Sequence, residues 1–277
     1  MKKYDCVVVV GCSFMHGDAI LDTNGNWNGE KYRMSKLLSD KLNCDEINLA
    51  KPGSGNERIS RKIYEWVSTN EQYKNPLIII GLSGITRQEL WSSRQSRFFD
   101  LHILDFNKGD MVMYNEQLKS RANKLMGSRK HYKLLESYVE AQTQYFFDLD
   151  KETDKLEKNI SFLDSYLKTN NIDYILLNSI EDNLPNIKNN INYMSFEMTS
   201  SVIKDKFSRN DGGDKAHSIE NCWYHYLRIE HELEHGDFNP INRSPKEPYG
   251  KYFCNGHPSP EANKELTELI YKKLQTI

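Results

Sequence analysis

The chain has 277 residues, 38% of them hydrophobic and 27% charged, and 37 Lys and Arg against 39 Asp and Glu leave a formal net charge of −2. That composition supports a packed core and excludes a disordered chain, and the near-balance of charge argues against wholesale binding to nucleic acid or an anionic membrane. The length fits a single α/β domain over residues 1–277 that carries insertions, and no stretch approaches the roughly 18 apolar residues of a membrane span.

In chain order, the first element is the continuous apolar run from Cys6 to Val10. It follows Met1-Lys2-Lys3 and resembles the start of an export signal, but it is shorter than the usual signal core of about 7–15 residues. It is expected to be a strand covered on both faces of a parallel sheet. A helical pattern over 31–42 follows, then a short strand at 46–50, a Pro-Gly-Ser-Gly turn at 52–55 and a helix over 56–69. A third strand is expected at 76–84, a long helix at about 134–170, a strand at 173–179 and a last helix at about 259–275. Pro258-Ser259-Pro260, with Glu261 in the first turn, opens that last helix.

Strands alternating with helices predict a three-layer α/β/α sandwich around a mainly parallel sheet. Two segments, about 85–133 and 180–250, lack this rhythm and are expected to be insertions over the carboxyl edge of the sheet, where ligand sites of α/β folds lie. The five cysteines, Cys6, Cys12, Cys44, Cys222 and Cys254, form no C-x-x-C pair. An odd, scattered set fits reduced thiols and a cytoplasmic setting.

The first strand runs directly into Gly11-Cys12-Ser13-Phe14-Met15-His16-Gly17-Asp18. A serine just past a buried strand projects toward the crevice at the strand's carboxyl end, although an isolated serine there often does no more than cap a helix. Three further segments accompany it: Asn48 to Asn56 with its glycine turn, Gly81-Leu82-Ser83-Gly84 at the end of the third strand, and Asn255-Gly256-His257-Pro258 before the last helix.

In order and placement these segments are similar to the four blocks of the SGNH/GDSL hydrolase family, in the Gly-Cys-Ser-Phe version common in phage and bacterial sequences. The resemblance runs from residue 5 to 275, the two insertions excepted, and implies an α/β/α fold of flavodoxin-like kind. It implies hydrolysis of carboxylic esters without a cofactor or metal, on a small-molecule or carbohydrate substrate such as an O-acetylated sugar. It also implies Ser13 as nucleophile, His257 as base, and the backbone N–H groups of Ser13 and Gly53 in the oxyanion hole. A serine hydroxyl is a poor nucleophile until an imidazole takes its proton, and fixed donors then stabilise the oxyanion.

Two blocks depart from the family pattern. Ser83 stands where the family carries an oxyanion-binding Asn, with Asn56 as a possible substitute, and Gly84 stands where it carries an Asp. Cys254 and Asn255 occupy the positions where an Asp orients the histidine. An Asn carbonyl at 255 accepts from an imidazole without balancing its charge, a loss that costs about 10⁴-fold in a serine protease triad. A noncatalytic binding protein on the same fold is therefore the alternative.

His231-Glu232-Leu233-Glu234-His235 matches the H-E-x-x-H pattern of zinc peptidases. Glu234 adds a charge inside it and Gly236 to Pro240 ends any helix, so a solvated helix is the better account. Lys119–Lys133 carries six cations and no acid, and is expected to be a solvated loop, with an anion site for a phosphorylated, sulfated or acidic-sugar substrate, or for nucleic acid, as its functional account. Trp27, Trp91 and Trp223 suit sugar stacking or a core, and His16 lies close behind Ser13.

Overall fold

The computed structural model describes residues 2–18, 20, 28–93, 95–102, 111–180, 191–196, 222–223, 226–227, 253–254 and 257–276, with the backbone alone at 102, 111–115, 117, 253 and 254. Four parallel strands form the central sheet: β1 (Cys6–Val10), β2 (Asp45–Asn48), β3 (Pro76–Leu82) and β6 (Asp173–Asn178). They lie in the order β2-β1-β3-β6, with Val8 paired to Ile47 on one side and to Ile78 on the other. Past β6, parallel bridges join Leu176 to Tyr193 and Asn178 to Cys222.

Strand side chains alternate between faces, and here both faces are covered, which is why β1 reads as an unbroken apolar run. Val7, Val9, Leu77 and Ile79 face α3 (Met34–Leu42) and α8 (Pro260–Leu274) in one core. Val8, Val10, Ile78 and Ile80 face α4 (Asn56–Thr69) and α7 (Leu149–Thr169) in the other. The result is the three-layer α/β/α arrangement expected from the strand–helix alternation. Each fully buried Val, Leu or Ile stabilises it by about 1.5–3 kcal/mol.

Several elements differ from expectation for local reasons. The helix over 31–42 is broken into α2 (Gly29–Tyr32) and α3 at Arg33, which adopts extended backbone and turns its guanidinium onto Glu46 at 2.7 and 3.2 Å. The long helix at 134–170 is two helices, α6 (Tyr132–Ala141) and α7, separated by a π turn at Gln142–Phe146. Asp148 then restarts the chain as N-cap, its carboxylate accepting from the Lys151 N–H at 3.0 Å. The last helix starts as expected, with Ser259 Oγ accepting from the Ala262 N–H at 3.2 Å.

The segment after β3 builds its own small module. A hairpin of β4 (Arg87–Ser92) and β5 (Arg97–His102) packs with α5 (Met111–Met126) and α6 around Leu101, Leu118, Ala122, Leu125, Leu135 and Val139. The basic stretch Lys119–Lys133 is therefore helical for most of its length, not the expected loop, and Lys119 and Arg129 both pair with Glu116. Cys6, Cys12 and Cys44 are free thiols, and the Cys222 thiol donates to the Ile180 carbonyl at 2.9 Å. Burial, with Asp5 and Asp45 nearby, pushes the Cys6 thiol up to about 12 and Cys44 to about 11, so both stay protonated at neutral pH. No helix among the described residues is long and apolar enough to cross a membrane.

Candidate active site

The chain leaves β1 for β2 on one side and returns to β3 on the other, so the sheet has a switch point beside β1, and the carboxyl end of the strands at such a point is where α/β sheets bind ligands. Ser13 sits there as the first residue of α1 (Ser13–His16), a single turn closed by Gly17 at φ 80°. Its N–H belongs to the first turn and has no acceptor within the helix. Ser13 itself is buried, at 6% exposure.

Two glycines make room for this turn. A Cβ on Gly11 would fall 2.4 Å from Met15 Cγ, and one on Gly81 would fall 2.3 Å from the same atom. Met15 therefore nests between the ends of β1 and β3 and locks α1 onto the sheet. A second set of contacts comes from β2. Asn48 Nδ2 donates to the Met15 carbonyl at 3.1 Å and to Ser35 Oγ at 2.9 Å, and its Oδ1 accepts from the Ala50 N–H at 3.0 Å. The Lys51 N–H donates to the Gly11 carbonyl at 3.0 Å.

That last bond brings the 51–54 turn alongside the Ser13 segment. Pro52 and Gly53 are its central residues, Ser54 N–H donates back to the Lys51 carbonyl at 3.1 Å, and Gly53 has φ 81°. A positive φ after proline is the type II turn geometry that selects glycine. Open space surrounds the position where a Gly53 Cβ would stand, so the backbone angle, and not crowding, requires the glycine. The Gly53 N–H makes no hydrogen bond among the described residues.

Asn56, at the start of α4, is buried and clamps the end of β3. Its Oδ1 accepts from the Ser83 N–H at 2.8 Å and its Nδ2 donates to the Ser83 carbonyl at 3.0 Å. The Ser83 hydroxyl in turn accepts from Arg87 Nη1 at 2.9 Å. Arg87 was not legible as a site residue, because only the turn from β3 into β4 folds it back over Ser83.

His257 arrives from the far end of the chain, in the two-residue strand β8 (His257–Pro258), which pairs antiparallel with β7 (Phe253–Cys254). Its ring centroid lies 5.5 Å from that of Phe14, tilted by 52°. Phe14 is the neighbour of Ser13, so the histidine stands beside the serine turn. Asn255 lies outside the described residues, as do Trp27 and His231, Glu232 and His235 of the zinc-peptidase pattern. His16 is half-buried behind the turn, and burial pushes its imidazole below the ordinary value, Asp18 opposing and Arg33 adding to the effect.

No family model matches the sequence, and no curated protein matches it either. Among solved structures, the chain is similar to the psychrotrophic esterase EstA from Pseudoalteromonas sp., with 12% identity over 98% of this chain and 97% of that one, at a TM-score of 0.40. It is similar to a GDSL-like lipase from Bacteroides thetaiotaomicron, with 13% identity over 100% and 90% of the two chains and a TM-score of 0.39. A third is the acetyl xylan esterase Est2A from Butyrivibrio proteoclasticus, with 12% identity over 100% and 66% and a TM-score of 0.38. At these values the likeness is too distant to argue from.

Proposed function

We propose that the chain is a serine acyl-ester hydrolase of the SGNH type, with Ser13 as nucleophile and His257 as its base. The observation that carries this reading is the contact of the His257 ring with Phe14, the residue next to Ser13, past the end of β1. The ring beside the serine packs on the imidazole although the two lie at opposite ends of the sequence.

The chemistry follows from the groups at hand. Ser13 Oγ attacks the ester carbonyl carbon as the imidazole takes its proton, and the carbonyl oxygen becomes an oxyanion. The N–H groups of Ser13 and Gly53 receive that charge, each worth about 3–4 kcal/mol when removed. The imidazolium then protonates the leaving alkoxide, and water, activated by the same histidine, hydrolyses the acyl-serine. In this reading Asn56 holds Ser83 in place, its Oδ1 and one Nδ2 hydrogen being engaged by the Ser83 N–H and carbonyl. Asn255, which lies outside the described residues, is the proposed orienting residue in place of the family's Asp. An O-acyl group on a small molecule or carbohydrate, acetyl foremost, is the proposed substrate, handled in the cytoplasm.

The test is hydrolysis of p-nitrophenyl acetate by the wild type, Ser13→Ala and His257→Ala, in the presence and absence of a chelator. Each substitution is expected to lower kcat by at least about 10³-fold, with chelation without effect. Turnover that survives both substitutions overturns the assignment. No turnover by the wild type, together with no labelling of Ser13 by a fluorophosphonate, selects the noncatalytic binding protein.

A further inference from the structure

An open cleft of about 640 Å³ lies between the Lys51 turn, α4 and the β4–β5 hairpin. Lys51, Arg58, Arg61, Arg97 and Lys124 line it, against the single carboxylate of Glu65. Two further acids, Glu89 and Asp100, sit behind the wall with side chains only 5% exposed. They hold Arg61 at 2.6 Å and Arg58 at 3.2 and 3.6 Å. Arg61 also pairs with Glu65 at the opening, so the lining cations with no carboxylate partner among the described residues are Arg97 and Lys124.

Not all of that donor capacity is used. Arg58 Nε is buried and makes no hydrogen bond among the described residues. Arg97 donates only to the uncharged Gln95, at 2.8 and 3.1 Å, and neither Arg97 nor Lys124 pairs with a carboxylate among the described residues. The wall also carries aromatic faces. The Arg61 guanidinium lies 4.3 Å over Phe98, Arg97 lies 4.5 Å over Phe99, and Trp91 meets Phe98 edge-on at 4.9 Å. Trp91 is 55% exposed, a large apolar ring left at the rim.

The cleft is stitched to the proposed acyl site. Asp100 Oδ1 accepts from the Gly55 N–H at 3.3 Å, and its Oδ2 is 3.5 Å from Lys51 Nζ. Lys51 is two residues before Gly53, and its own N–H is bonded to Gly11. Fixed guanidinium forks suit carboxylate and sulfate oxygens, and exposed rings suit the C–H face of a sugar.

We propose that this cleft binds an anionic saccharide ring, carboxylated or sulfated, and so sets the substrate class of the neighbouring ester site. The proposal rests on the Ser13 reading only for its link to catalysis. A nucleic-acid strand is the less favoured occupant, because the chain as a whole carries a net charge of −2.

The test titrates Ser13→Ala protein calorimetrically with tetragalacturonate, a chondroitin sulfate tetrasaccharide, neutral cellotetraose and an oligothymidylate. At least one anionic saccharide is expected to bind about tenfold or more tightly than cellotetraose, weakening as salt rises. Which of the two binds distinguishes a carboxylate from a sulfate ligand. The Arg97→Gln, Lys124→Gln double variant is expected to lose about tenfold in that affinity. In the Ser13 background it should keep the wild-type melting temperature and p-nitrophenyl acetate turnover. Equal binding of neutral and anionic saccharides, unchanged affinity in the double variant, or tighter binding of the oligothymidylate than of both saccharides overturns the proposal. Absent p-nitrophenyl acetate turnover in the wild type sinks the Ser13 reading instead, and leaves the saccharide titration to stand on its own.

Discussion

The sheet and the module inserted after β3 solve the same packing problem with different margins. Around Ser13 the sheet is covered on both faces, and its turns are tied by Met15, Asn48 and the Lys51 N–H. The module over 87–147 rests on six buried apolar side chains and leaves Trp91, Leu134, Tyr145 and Phe146 more than half exposed. It is attached to the sheet layers by Asp100, Glu89 and their arginines and by Phe147, which packs against both cores. The contrast places the proposed reacting groups on the tightly tied part of the fold and the proposed ligand-selecting surface on the more loosely packed part.

The difference can be tested from its largest consequence downward. Leu118→Ala empties a fully buried position of the module and should cost about 2–5 kcal/mol locally. Amide exchange is expected to quicken over residues 87–147 while β1 and β3 stay protected. Uniform loss of protection across the sheet would erase the distinction between the regions. Gly81→Ala places a methyl group against Met15 and should destabilise the sheet side by about 1–3 kcal/mol in urea unfolding, with ester turnover falling as the Ser13 turn shifts. Adding Met15→Ala to that chain is expected to recover part of the turnover, and no recovery would place the clash elsewhere.

Two smaller effects sharpen the sheet half of the contrast. Ser259→Ala removes the cap of α8 and should lower the unfolding free energy by about 1 kcal/mol without altering turnover. His16 gives a pH signature. Its folded-state affinity for a proton is lowered by burial, so the unfolded chain binds more protons once pH falls below about 6.5. Stability from this group is therefore complete above about pH 6.5 and declines from there down to the depressed folded-state value. His16→Gln is expected to flatten that decline in denaturant midpoints measured from about pH 7.5 to 5.

The sequence by itself determined the elements whose causes are local. Continuous β-branched runs mark strands buried on both faces, Ser259-Pro260 caps a helix, and Pro52-Gly53 demands its turn. The serine turn after β1 was legible in the same way. What it left undecided depends on partners distant in the chain. Arg33 breaks a regular helical pattern because Glu46 lies within reach, and the acid-free run at 119–133 coils into helices because a module core forms under it. The approach of His257 to Phe14, the clamp of Asn56 on Ser83 and the bond from Arg87 to the Ser83 hydroxyl exist only once the strands are in order. Periodicity and turn chemistry act over a few residues. A catalytic constellation is a set of distances between residues brought together by strand order, and those distances only tertiary structure decides.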